Sequence, residues 1–268
     1  MIHSTAIIHS KAEIGKNVSI GPYSIIEEEV IIGNNVQIDS HVVIKKWTSI
    51  GEDCILFMGA VLGNSAQDKK YDGQCSYLTI GKGNVFREYV TVHRGNKAEG
   101  YTKIGDHNYF MVNSHIAHNC EIGNEITIAN GSNIAGHVII EDRAFISGLV
   151  VVHQFVRIGR LSIIGGNSKV VQDVPPYLLV DGHPAKAYGL NSVGLLRAKI
   201  PEDSKIKLKK SYKLLYRSEY SISKALQKIK EEIEKDDYVD HLVQFIESSE
   251  RGICRGVEVI KSDSFEDL

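Results

Sequence analysis

Three histidines, His118, His137 and His153, follow closely on Ile116, Ile134 and Val152, aliphatic residues spaced by eighteen. A neutral imidazole is the natural proton acceptor near pH 7, so a group of them could deprotonate a hydroxyl or hold a metal. His115 adds a fourth in the run NSHIAHNC, residues 113–120. Outward polar positions are ordinary on a folded surface, and the chain has 11 histidines to place. Whether these four make a site depends on the element that carries them.

That element is a repeat. An aliphatic residue recurs every six positions from Ile2 through Ile8, Ile14 and Ile20 to Leu62, again at Ile80 and Phe86, and from Ile104 to Val170. Four residues after each stands a small or β-branched residue, such as Ala12, Val18, Ser24 and Val30, with Cys54 and Cys120 in the same series. Glycine often follows the aliphatic residue, at Gly15, Gly21, Gly33, Gly51 and Gly63. Neither helical periodicity nor simple strand alternation extends that far. The pattern predicts a prism of short strands with tight corners where glycine, Asn or Asp accepts unusual dihedrals, three hexads to a turn and coils about 4.8 Å apart. Eighteen residues are then one coil, and His118, His137 and His153 rise on one face of consecutive coils. The fold class is a mainly β, parallel β-helix of hexapeptide repeats over residues 1–190 with a C-terminal α-helical region over 191–268. Segments 67–79 and 94–103 interrupt the repeat and are expected to leave the core as binding loops. Leu179 to Leu190 reads as a connector, and helical spacing follows Pro201 in Tyr212, Leu215 and Tyr216, then Ile222, Leu226 and Ile229, then Leu242, Phe245 and Ile246.

Composition bounds the partners. Formal charge is -2, from 31 basic and 33 acidic residues, so no general field attracts nucleic acid. The start MIHSTAIIHS has no signal-like character and no long apolar run follows, which predicts a cytoplasmic chain without a membrane span. The four cysteines lack CxxC spacing, so neither a disulfide framework nor a cysteine zinc site is expected.

The ordered stretches QDKKY (67–71), VTVHRG (90–95), NSHIAHNC (113–120), IAGHV (134–138), VVHQF (151–155), QDVPPY (172–177) and GLNSVG (189–194) resemble the UDP-N-acetylglucosamine acyltransferases that open lipid A biosynthesis. With the repeat and the tail, the resemblance covers nearly the whole chain. It implies a left-handed β-helix, a homotrimer with sites between adjacent subunits, and no cofactor. It further implies transfer of a 3-hydroxyacyl chain from acyl carrier protein to the 3-position of a UDP-amino-sugar. By resemblance His118 is the general base and the Gly136 N–H the donor to the oxyanion. His115, His137 and His153 line the cleft, Asp68 and Lys70 contact the sugar, Gln154 and Asn191 hold the nucleotide or pantetheine arm, and Arg197 meets phosphate. Gly166 and Lys169 resemble positions that bound the acyl chain.

The chain departs from the family at three places. Asn119 stands where an acidic neighbour of the catalytic histidine is usual, and Val193 and Ala198 replace an acidic residue and an arginine found in some relatives. Those departures keep open an acceptor with a 3-amino group. The lysines 205, 207, 209, 210 and 213 with Arg217 suit an acidic carrier protein, though a solvated helix face accounts for them equally. A more distant reading, a hexapeptide-repeat carbonic anhydrase, would use His115, His118 and His137 on zinc. It gives QDKKY and GLNSVG no role.

Overall fold

In the computed structural model, which describes residues 1–257, most hexads close a two-residue strand on their aliphatic member, as at Ile7–Ile8, Glu13–Ile14 and Ser19–Ile20. Three residues later the chain turns through left-handed backbone, with φ of 57° to 59° at Asn17, Tyr23, Glu29, Asn35 and His41. The same event recurs at Asn113, Asn119, Glu125, His137 and Arg143. Left-handed φ costs a non-glycine residue roughly 1–2 kcal/mol, and bonds between coils offset it, such as Asn35 N–H to the Lys16 carbonyl at 2.8 Å.

The corner glycines expected from the repeat mostly serve another purpose. Gly15, Gly21, Gly33 and Gly51 have ordinary φ, but a Cβ on each would lie 2.6 to 2.7 Å from the backbone of the next coil. They are there for close stacking. Gly63 alone of the five has positive φ, at 78°.

Three parallel sheets form the faces of the prism. The first, of nine strands, runs from Ile7–Ile8 to Lys169–Val170, and the second, of eight, from Glu13–Ile14 to Arg157–Ile158. The third, of ten, begins at Ser19–Ile20. Partners are one coil apart, Ile7 with Ile25 and Ile8 with Ile26, so the aliphatic residues stack into one core with Cys54 and Cys120 fully buried in it. Burial pushes the Cys120 thiol up to about 12. At the first turn, which no coil covers among the described residues, Ile2 is 51% exposed and Ile8 and Ile14 are half-buried.

Both insertions are shorter than the sequence suggested. Tyr77–Ile80 pairs residue for residue with Tyr101–Ile104, leaving loops at 65–76 and 94–100. Across them the register jumps from Val61 to Thr91 and from Thr91 to His115, so each loop adds a multiple of six and the repeat resumes in phase. The supposed connector is a β-hairpin. Leu178–Gly182 joins the third sheet in parallel with Ile163–Ile164 and pairs antiparallel with Ala185–Leu190, because Leu178, Val180, Ala185 and Ala187 alternate into the core.

Four helices follow: α1 (Ser192–Arg197), α2 (Glu202–Tyr216), α3 (Ile222–Glu232) and α4 (Asp237–Glu247). Ser221 caps α3 and Asp236 caps α4 through side-chain oxygens. Their apolar faces, including Leu208, Leu215, Ile229, Leu242 and Phe245, form a second core against Leu161 and Tyr177. The expected helical region also included residues 258–268, which lie outside the described residues. Among the described residues no helix is long and apolar enough to cross a membrane.

Candidate active site

The corner between the first and second sheets gathers the histidines. His115 lies on the outer face of strand His115–Ile116, in a column with Thr91, Asn133, Val151 and Lys169. Its Nδ1 sits 2.7 Å from Thr91 Oγ1, and its ring meets His93 edge to face at 4.9 Å. His118 follows on the corner. Its ring meets His137 of the next coil edge to face at 5.2 Å, and His137 stacks on Phe155 one coil further at 4.7 Å. His153 therefore shares the face but not the column, since Phe155 occupies the place above His137. The exposed His153 instead sits above Ala135, with Nδ1 3.2 Å from the Gln154 carbonyl.

The hydrogen bonds fix the His118 tautomer. Asn119 Oδ1 accepts the Asn96 backbone N–H at 2.9 Å, which can only donate, so that atom is the amide oxygen. The same oxygen lies 3.0 Å from His118 Nδ1. Nδ1 therefore carries the proton and Nε2 offers its lone pair. The missing acidic neighbour is thus replaced in orientation, not in charge.

Gly136, one coil above, packs directly against this ring. A Cβ there would stand 2.6 Å from His118 Cε1 and 2.9 Å from Nε2, so any side chain would displace the imidazole. At the corner after the second sheet, three N–H groups two residues past the aliphatic position are capped by a side chain of the coil above. Lys16 donates to Asn34 Oδ1 at 2.8 Å, Asp106 to Asn124 Oδ1 and Asn124 to Asp142 Oδ1, both at 2.7 Å. Gly136 is the equivalent residue at the corner after the first sheet, with Gln154 above it, and among the described residues its N–H has no acceptor. It is a backbone donor left unused beside a histidine lone pair.

Loop 65–76 brings Asp68 toward this corner. The Lys70 N–H donates to Asp68 Oδ1 at 2.9 Å and Asn96 Nδ2 to Oδ2 at 2.7 Å; these bonds hold the carboxyl below its usual range. Lys70 itself is exposed. Arg94, 5% exposed, ties the loop down by donating to the Gly63 carbonyl at 2.8 Å and to Tyr71 OH at 2.9 Å. Burial, then the charge of His118, lowers the basicity of both His115 and His137.

The other expected residues lie elsewhere. Asn191 is buried and caps α1, accepting from Gly194 N–H at 2.9 Å and donating to the Leu161 carbonyl at 2.8 Å. With the exposed Arg197 it lines a cleft of about 560 Å³ on the third face, together with Arg143, Phe145, Ile163 and Lys199. Gly166 lies at the corner between the third and first sheets, where a Cβ would find only the Gly148 carbonyl, at 3.5 Å. Lys169 tops the His115 column. Within one chain the nucleotide-type residues and the histidine corner are therefore on different faces. On α2, Lys205 pairs with Glu202 at 2.6 Å and Lys207 with Asp203 at 2.7 Å, while Lys210 donates to the Glu232 carbonyl at 2.9 Å. Among the described residues Lys209 and Lys213 make no ion pair.

The family profile for UDP-N-acetylglucosamine O-acyltransferase domain 2 matches residues 173–254, and that for bacterial transferase hexapeptide repeats matches 101–136. An acyl-[acyl-carrier-protein]--UDP-N-acetylglucosamine O-acyltransferase of Thermodesulfovibrio yellowstonii is 49% identical over 95% of this chain and 99% of its own. The chain belongs to the UDP-N-acetylglucosamine O-acyltransferase family. Solved acyltransferases agree in fold. That of Bacteroides fragilis superposes with a TM-score of 0.93 at 36% identity, covering 95% of this chain and 100% of that one. That of Francisella novicida gives 0.92 at 39% identity, covering 95% and 94%. The family relation favours an acyltransferase over a zinc enzyme, and among the described residues no three His, Cys, Asp or Glu side chains converge as a metal site. In this acyltransferase, His93, Arg94 and Asn96 are the site residues that reading the sequence left without a role. VTVHRG contained the signal, since His93 follows Val92 as His153 follows Val152.

Proposed function

We propose that this chain transfers a 3-hydroxyacyl group from acyl carrier protein to the 3-hydroxyl of UDP-N-acetylglucosamine, the first step of lipid A biosynthesis. The observation that carries it is the pairing of a tautomer-fixed His118 lone pair with the uncapped N–H of Gly136 on the next coil. His118 Nε2 takes the proton of the sugar hydroxyl as its oxygen attacks the thioester carbonyl. The carbonyl oxygen becomes an oxyanion and accepts from the Gly136 N–H. Collapse breaks the C–S bond, and the departing pantetheine thiolate takes the proton from the imidazolium. The ester forms and the base is restored.

Asp68 and Lys70 hold the sugar from their loop, with His115, His137 and His153 lining the cleft. Asn191 and Arg197 lie on another face, and this supports a homotrimer in which one subunit's third face meets its neighbour's histidine corner. Gln154 then reaches the donor arm, and Gly166 with Lys169 bounds the acyl chain. We place the enzyme in the cytoplasm.

The test is turnover with an acyl carrier protein thioester and either UDP-N-acetylglucosamine or its 3-amino analogue, in wild type and His118→Ala. Ester formation on the first acceptor is expected, with a loss of about 10²–10⁴-fold or more in the variant. Preference for the amine above about a hundredfold, or roughly 2.7 kcal/mol, overturns the acceptor. Activity within about tenfold of wild type in a folded His118→Ala overturns the base.

A further inference from the structure

Asn96 opens loop 94–100 and touches both the neighbour of His118 and the carboxylate of the other loop. Its backbone N–H and the His118 ring share Asn119 Oδ1, while its Nδ2 holds Asp68 Oδ2 at 2.7 Å. Since Lys70 N–H holds the other oxygen, the carboxylate is fixed at both ends. His118 interacts with His93, His115, His137 and Asp68, which in turn face Arg94, Lys97 and Lys70, and of these groups Asp68 is the acidic one. Taking a proton makes His118 an imidazolium, which a fixed carboxylate stabilises and a neutral amide does not.

Resting on the general-base reading above, we propose that Asn96 is a positioning residue that fixes Asp68 as the counter-charge to His118, in place of the acid that Asn119 lacks. Asp68 then has two tasks, holding the sugar and balancing the base. The second depends on Asn96. The direction of the Asp68 shift agrees, because the Asn96 bond favours the charged form.

Asn96→Ala keeps the backbone donor to Asn119 and removes only the tether to Asp68. It is expected to lower kcat about tenfold while changing KM for UDP-N-acetylglucosamine less than about threefold. The protonation midpoint of His118, followed by NMR in the substrate-free enzyme, should fall by about 0.5, with the acid limb of kcat/KM moving the same way. Asp68→Asn should move the midpoint in the same direction. Adding Asn119→Asp to Asn96→Ala should bring both midpoint and kcat back toward wild type, which a merely structural role would not allow. A midpoint unmoved in both single variants overturns the proposal, as does a loss confined to KM. Because the midpoint is read without turnover, an active His118→Ala would overturn the base assignment and leave the charge coupling standing.

Discussion

At His118 a backbone group decides which ring nitrogen is the base: the Asn96 N–H orients the Asn119 amide, and that amide takes the Nδ1 proton. An asparagine does this as well as an aspartate would, since orientation needs an acceptor oxygen and not a charge. His93 nearby is different. It is 5% exposed with Nδ1 unpartnered, and burial, then the charges of His115, His118 and Arg94, hold it at about 4. Its folded value lies below the ordinary value of about 6.5, so the unfolded chain binds more protons between the two. The stability this group contributes is therefore full above about pH 6.5 and is lost as pH falls toward 4. Between about pH 7 and pH 5 it accounts for about 2 kcal/mol per chain. His93→Gln is expected to flatten that part of the denaturation-midpoint profile, and parallel profiles in the two proteins would show that His93 is not the group responsible. The sequence made His115, His118 and His137 visible because the six-residue period aligns them. His93 follows Val92 in phase and could have been read the same way, whereas Asn96 was not visible, since it lies in a loop that leaves the repeat and its importance comes from contacts between the two loops.

At the scale of elements, the repeat could be read because one inward residue per hexad suffices to set strand, spacing and coil. The corner could not. The left-handed residue falls three places after the aliphatic one and is Tyr23, Glu29, His137 or Phe155 as readily as asparagine, because coil-to-coil bonds enforce the turn whatever the side chain. The hairpin at Leu178–Leu190 was hidden by its Gly and Pro residues, which read as loop until the alternation of Leu178 and Val180 into the core is seen. Helix α2 shows the same limit for charge. A run of lysines suggested one continuous basic surface, yet Lys205, Lys207 and Lys210 are engaged within the helical region, and Lys209 and Lys213 face solvent four residues apart. Docking of an acidic carrier protein should then rest on those two. Lys209→Glu with Lys213→Glu is expected to raise KM for the acyl donor about tenfold and weaken its salt dependence, leaving KM for the UDP-sugar unchanged. Lys205→Glu should do less, and an unaltered salt profile in the double variant would make the run a solvated face.

For the whole molecule, the decisive fact is that the two halves of the expected site sit on different faces of one rigid prism. A stack of coils held by continuous parallel sheets has no hinge that could bring Arg197 to His118, so the chain alone leaves the constellation divided. Two copies solve this by juxtaposition. If one subunit supplies His118, Gly136 and Asp68 and its neighbour supplies Arg197 and Asn191, then damage to the two halves can be complemented between chains. His118→Ala and Arg197→Ala should each be impaired alone. Mixed in equal amounts, unfolded and refolded together, they should give, in the proposed trimer, about one interface in four with both wild-type residues by random assortment. About a quarter of wild-type kcat is therefore expected from the mixture, with mass measurement confirming three chains per particle. A site built within a single chain predicts a different result, because every chain in the mixture carries a lesion and no rearrangement of partners could repair it. Activity of the mixture no higher than the mean of the two separate variants would place the nucleotide contacts on the same chain as the base, and the cleft beside α1 would then need another ligand.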